Sequence, residues 1–182
     1  MQRIFHALTG LAIALALSCG AHAAVNDAGA GGFSVIETVH IAAPPDKVYG
    51  ELIQPSRWWS SQHTFSHDAA NLSLDARAGG CWCEKLPNGG SVQHMTVLYV
   101  QPGEALRLHG ALGPLQGLGV GGALTIELKA SSGGTDLTAT YNVGGYLKDG
   151  LASWAPPVNG VLGEQFGRLK NLLETGNPNP KH

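Results

Sequence analysis

Three side chains in the stretch "GCWCEKLPNGGSVQHM", Gly80 to Met95, could do chemistry together: Cys81, Cys83 and His94. Thiols and an imidazole can ligate a metal, close a disulfide or line a pocket. Asn88-Gly89 is a strong hairpin signal, because both residues tolerate positive φ and so match the twist of paired strands. With those two as the loop, Cys83 falls opposite His94, Cys81 opposite Thr96 and Glu84 opposite Gln93. Side chains alternate along a strand, which places Cys81, Cys83 and His94 on one face and Trp82, Glu84 and Met95 on the other. A slip of one residue would break the cluster.

The three chemistries have different requirements. Two residues along a strand span about 6.6 Å, and disulfide Cα separations usually end near about 6.8 Å, so a Cys81–Cys83 bond sits at the edge of the range. Structural zinc usually takes four ligands; a fourth would have to come from a loop, with His63 or His67 to hand. The expectation carried forward is pocket lining, with no metal, and with the cysteine face turned toward a long helix because thiols are usually buried. Glu84 and Gln93 then form a surface pair. A second dense stretch, "RWWSSQHTFSHDAANLS", gathers Trp58, Trp59, His63, His67 and Asp68. A histidine and a carboxylate among aromatic rings could move protons; packing tryptophans and solvated histidines are the plainer reading. His40 and His109 stand alone in strands and read as structural.

Other elements must position these residues. "MQRIFHALTGLAIALALSCGAHA" has a basic start, an apolar run and a small-x-small end, which reads as a signal peptide over residues 1–23, cleaved before Ala24. A lipoprotein with Cys19 lipidated is the alternative. Cleavage at that point leaves 159 of the 182 residues, with no integral membrane segment. A domain of that length buries roughly 70% of its unfolded surface, enough for a core without staples. The formal net charge of −2 becomes −3 once Arg3 departs, and no basic stripe appears, which argues against a nucleic-acid partner.

Residues 24–32 are small and glycine-rich and read as a flexible lead-in. "FSVIETVHIAA" alternates as a strand, with Val35, Glu37 and Val39 on one face. Pro44 and Pro45 open a short helix and Pro55 stops it. Strands and turns follow to about Leu147. "PVNGVLGEQFGRLKNLLETG" then sets Val158, Leu162, Phe166, Leu169 and Leu173 on one apolar stripe, with Gly176 at the C-cap. Residues 177–182 read as a disordered tail. Strands grouped together rather than alternating with helices predict an α+β domain over 33–176. It would have a curved antiparallel sheet of about seven strands, two short helices and the long C-terminal helix over its concave face.

That order, carried by "VHIAAPPDKVYGELIQPSRWW", "ARAGGCWCEKLPNGGSVQHMTVLYVQPGEALRL" and the closing helix, resembles the START-like or SRPBCC superfamily. It is most similar to the branch of polyketide cyclases and chaperone-ATPase-activator homologues. The resemblance covers Phe33 to Glu174. It implies the helix-grip fold and a cavity between sheet and helix, whose mouth the Trp58–Asn71 stretch borders and one end of which Tyr146 and Trp154 could close. Ligand-binding candidates are therefore Trp58, Trp59, His63, His67, Cys81, Cys83, His94, Tyr146, Trp154, Leu162 and Phe166. Fold alone does not set function. The expected function is exported binding of a small hydrophobic or amphipathic molecule, with no cofactor required. A cyclase or aromatase acting on a polyketide-like or aromatic substrate is the alternative, and a cochaperone-like role is the third should the signal reading fail.

Mass measurement of the protein recovered from the exporting host should give an N-terminus at Ala24. A chain retaining Leu8 to Leu17 would remove the export reading and the redox argument attached to it.

Overall fold

The strand expected from Phe33 forms, and its alternation sets the core. The computed structural model describes residues 22–179, so the expected signal peptide lies almost wholly outside the described residues. Strand β2 (Gly32–Ile41) buries Phe33, Val35, Glu37, Val39 and Ile41 on one face, as period-2 patterning requires. Eight antiparallel strands form one sheet: β1 (His22–Gly29), β2, β3 (Leu72–Leu74), β4 (Cys81–Lys85), β5 (Ser91–Gln101), β6 (Ala105–Gly110), β7 (Gly119–Ser131) and β8 (Gly134–Tyr146). Their order across the sheet is β1-β2-β8-β7-β6-β5-β4-β3. Helix α1 (Pro45–Leu52) and 3-10 turns at Pro55–Arg57, Ser61–His63 and Ala69–Asn71 lead from β2 to the far edge. Helix α2 (Ala155–Thr175) begins with Pro in its first turn and ends at Gly176 with φ 77°.

The protein is an α+β helix-grip domain. Leu162, Phe166 and Leu169 of α2 are fully buried, and Val158, Leu172 and Leu173 pack at the margins of the same core. Lys170 Nζ donates to His40 O (2.6 Å), and Ala42 N–H donates to Glu174 Oε1 (2.9 Å), pinning the helix C-terminus to the end of β2.

Two end segments differ from expectation. Residues 24–32 are not a loose lead-in: β1 pairs along β2 from His22↔Thr38 to Gly29↔Gly32. Its side chains from Ala24 onward are exposed, so no apolar alternation marks it in the sequence; backbone pairing at a sheet edge holds it. At the other end, Arg168 Nη1 donates to Asn179 Oδ1 (2.8 Å), which ties the start of the expected disordered tail back to α2. Residues 180–182 lie outside the described residues.

Glu37 is the one inward-facing charge on β2. It is fully buried, and neither carboxyl oxygen has a partner among the described residues. Burial pushes its pKa from 4.5 to about 7. The folded state therefore holds the proton that the unfolded chain releases. This stabilisation is complete below pH 4.5 and is lost as pH rises to about 7. Urea unfolding from pH 4.5 to 7.5 should show this loss, on the order of 3 kcal/mol, superimposed on the other titrations. Glu37→Gln should remove that component, and an unchanged pH profile in the variant would refute it.

Candidate functional site

The site is built where the β4–β5 hairpin departs from regular pairing. Asn88 (φ 58°) and Gly89 (φ 78°) both take the left-handed conformation expected of them. The turn, however, also takes in Pro87: Leu86 N–H donates to Gly90 O (2.9 Å), and the first ladder pair is Lys85↔Ser91. Glu84↔Val92 and Cys83↔Gln93 follow. A β-bulge then restores the expected register, with Trp82↔Met95 and Cys81↔Thr96. His94 is the extra residue. A bulge lets two consecutive side chains share a face, and His94 and Met95 are both buried. Gly110, opposite Met95, accommodates this bend at φ 156°; a β-carbon there would lie 2.5 Å from His94 O.

The expected grouping of Cys81, Cys83 and His94 is therefore overturned. Trp82, Glu84, His94 and Met95 point inward, while Cys81 and Cys83 lie half-buried on the outer face. The cysteines are joined as a disulfide with Cα atoms 5.4 Å apart, closer than a regular strand would hold them. They do not line a pocket, and His94 is on the wrong side to share a metal with them. Glu84 is not a surface residue paired with Gln93: it is 1% exposed. Charge made it look like a surface residue, but the carboxylate has three donors. Phe65 N–H (3.2 Å), Ser66 N–H (2.5 Å) and His94 Nε2 (2.9 Å) all reach it.

This pair has a defined protonation. Burial alone would raise the Glu84 pKa; hydrogen bonds from Ser66, Phe65 and His94 outweigh burial and hold it below the usual carboxylate value. An ionised carboxylate only accepts, so His94 carries its proton on Nε2. Burial lowers the His94 pKa below 6.5, against the opposing pull of Glu84. At neutral pH the ring is neutral, with Nδ1 as its lone-pair nitrogen and no partner for that atom among the described residues.

His94 forms part of the wall of a cavity of about 380 Å³ between the sheet and the N-terminal half of α2. Trp59, Thr64, Leu72, Trp82, Leu115, Trp154, Val158 and Leu162 supply most of the remaining wall, with the exposed Gln62, His63 and Phe65 toward the rim. The loop over the mouth is anchored to α2 at three points: Ser60 N–H donates to Gln165 Oε1 (2.7 Å), Arg168 Nε donates to Trp58 O (2.8 Å), and His63 pairs with Glu164 (3.0 Å). Leu112, which lines the cavity, is held from the core: the Tyr141 hydroxyl donates to Gly110 O and accepts from Leu112 N–H, both at 3.2 Å.

Of the candidates from sequence, Trp59, His63, His94, Trp154 and Leu162 come together on this wall. Trp58 and Phe166 do not; they stack at 6.0 Å and close the other half of the interior to a void of about 10 Å³. His67 is exposed at φ 58° on the loop surface. Tyr146, expected to close the cavity, is 77% exposed. Sequence reasoning missed Phe65 and Leu115, and it missed Glu84 as the partner of His94; the signal for Glu84 was an acid in period with Trp82 on an otherwise apolar face.

No family model matches the chain, and no curated protein matches it. Solved structures do share its fold. An uncharacterized protein from Rhizobium leguminosarum aligns at TM-score 0.57 and 20% identity, covering 85% of this chain and 97% of its own. The Aha1 dimer from Colwellia psychrerythraea aligns at 0.56 and 18%, over 79% and 97%. CalU16 from Micromonospora echinospora aligns at 0.56 and 17%, over 88% and 86%. At these identities the likeness is one of fold.

In an NMR titration the His94 ring should protonate below pH 6.5, so its share of stability is present above that pH and fades as pH falls. Glu84→Gln should lower the His94 pKa further, because the attraction is lost while burial stays. A pKa at or above 6.5 in the native protein would contradict the assigned state.

Proposed function

We propose that this chain is an exported binding protein that holds a small hydrophobic or amphipathic molecule in the cavity between the sheet and α2. The carrying observation is the cavity itself. Its volume falls within the range usual for small-molecule sites, and its lining is mostly aromatic and aliphatic, with His94 as a buried, oriented polar group. An apolar body would bury against Trp59, Trp82 and Leu162, and a hydroxyl on it would donate to His94 Nδ1. Export to the periplasm or medium is part of the proposal. It rests on the anatomy of residues 1–23, and a Cys81–Cys83 disulfide suits an oxidising compartment.

A second reading has a specific observation behind it. A neutral histidine, oriented by a buried carboxylate and open to a cavity, is arranged as a general base. It could take a proton from an acidic C–H or O–H of a bound polyketide-like or aromatic substrate and return it elsewhere on the molecule. This makes the same cavity that of a cyclase or aromatase.

Native mass spectrometry of protein from the exporting host, with 8-anilinonaphthalene-1-sulfonate titration as the solution probe, separates these outcomes. Val158→Trp should fill the cavity and weaken probe binding on the order of tenfold, or about 1.4 kcal/mol. His94→Gln should leave apolar binding largely intact and abolish any solvent-deuterium incorporation into a bound carbon acid. Probe binding unaffected by Val158→Trp would reject this cavity as the site.

A further inference from the structure

The disulfide contributes little that the fold needs. A bridge closing a loop with one intervening residue constrains the unfolded chain less than a long-range bridge does, and β4 is already held by β3 on one side and β5 on the other. Its position is more informative. Trp82, between the two cysteines, forms part of the cavity wall, and Glu84, the next residue after the bridge, holds His94. The β-bulge falls at this same point, between Trp82 and Cys83. Two residues of regular strand span about 6.6 Å; the bridged pair spans 5.4 Å. The bridge thus holds a contracted strand whose inner side is the cavity wall.

We propose that Cys81–Cys83 is a thiol–disulfide exchange site, addressed by a dithiol reductant, whose oxidation state sets the shape of the cavity. Both cysteines are half-buried on the outer face, flanked by the exposed side chains of Ser73 on β3 and Gln93 on β5. Access is from solvent, on the side away from the ligand. A thiolate of the reductant attacks Cys81 Sγ and forms a mixed disulfide. The Cys81–Cys83 bond breaks, and Cys83 leaves as a thiolate on the same face as Lys85, then takes up a proton. The second thiol of the reductant attacks the reductant's first sulfur in the mixed disulfide, the bond to Cys81 breaks, and Cys81 is released and protonated. Two electrons and two protons pass to the protein, and the dithiol becomes a disulfide. Released from the bridge, Cys81 to Cys83 can extend to the regular strand repeat. Trp82 then shifts against Trp59, whose ring centroid is 4.9 Å away, and against His94 at 6.0 Å.

The affinity readout rests on the binding function proposed above, so the experiment carries a second readout that does not. The oxidised full chain is titrated with dithiothreitol, and reduction is followed by thiol alkylation and mass spectrometry. Reduction should occur without unfolding. The His94 ring resonances should shift, and the dissociation constant for 8-anilinonaphthalene-1-sulfonate should change by about threefold or more, within the coupling range of packed networks. The Cys81→Ser/Cys83→Ser double variant should reproduce the reduced values and ignore dithiothreitol; reduction of the native chain serves as the test should that variant not fold. A disulfide that dithiothreitol opens only on global unfolding would overturn the exchange site. Reduction that leaves both His94 and the probe unchanged would overturn the coupling. If the probe binds neither form, the binding function fails separately, and the His94 resonances alone decide the coupling.

Discussion

The carboxylate of Glu84 is the constraint on which the site depends. An ionised carboxyl in an apolar interior is costly unless donors surround it, and Glu84 has three. Two are backbone N–H groups of Phe65 and Ser66, and the third is the His94 ring. They come from two different parts of the site. The backbone donors belong to the loop over the mouth. The ring belongs to a residue that faces inward through the bulge in β5. The bulge, the loop and the acid therefore depend on one another. Without the bulge, alternation would turn either His94 or Met95 outward; without the acid, the loop at Phe65 would lose its anchor to the sheet.

The cavity occupies one half of the space under α2 because of where bulk lies along the helix. The C-terminal half carries Phe166, Leu169, Leu172 and Leu173, and Phe166 stacks on Trp58. The N-terminal half turns Pro157, Val158 and Val161 to the cavity, side chains smaller than Phe166 that leave space above the sheet. A line of rings from Trp58 through Trp59 to Trp82, at 5.4 and 4.9 Å, forms the partition between the two halves. The rings are packed on the core side and available on the cavity side, so the partition can be rigid and still present aromatic surface to a ligand.

The fold was legible where burial and chain direction agree with simple periods. β2 alternates because one face meets the helix, and α2 shows its stripe because one side meets the sheet. Legibility failed where structure depends on partners distant in sequence. β1 buries no apolar row and is held by backbone pairing. The hairpin was half legible: positive φ at Asn88 and Gly89 was readable, but Pro87 in the turn and the compensating bulge at His94 were not. That single irregularity reversed the faces of Cys83 and His94 relative to each other. Glu84 was misplaced because its two backbone donors lie nearly twenty residues upstream, in a loop with no periodic signal. Trp59, His63, His94, Trp154 and Leu162 line the cavity, whereas Tyr146 and His67 are on the surface.

The buried pair also bears on what the cavity is for. Burying a carboxylate and an imidazole together does not in general stabilise a fold, since apolar side chains of equal volume often do as well. Trp82 and Met95 already show that this face accepts apolar residues of that size. What the pair supplies is a fixed tautomer. With Nε2 committed to Glu84, Nδ1 has a set chemical role, a hydrogen-bond acceptor and proton acceptor in otherwise apolar surroundings. A cavity that served only to exclude water from a greasy ligand would gain nothing from such a nitrogen. A cavity that must orient a hydroxyl, or remove a proton from a particular atom, needs one, and binding and proton transfer make the same demand on His94. The two functions separate only in whether the molecule leaves changed.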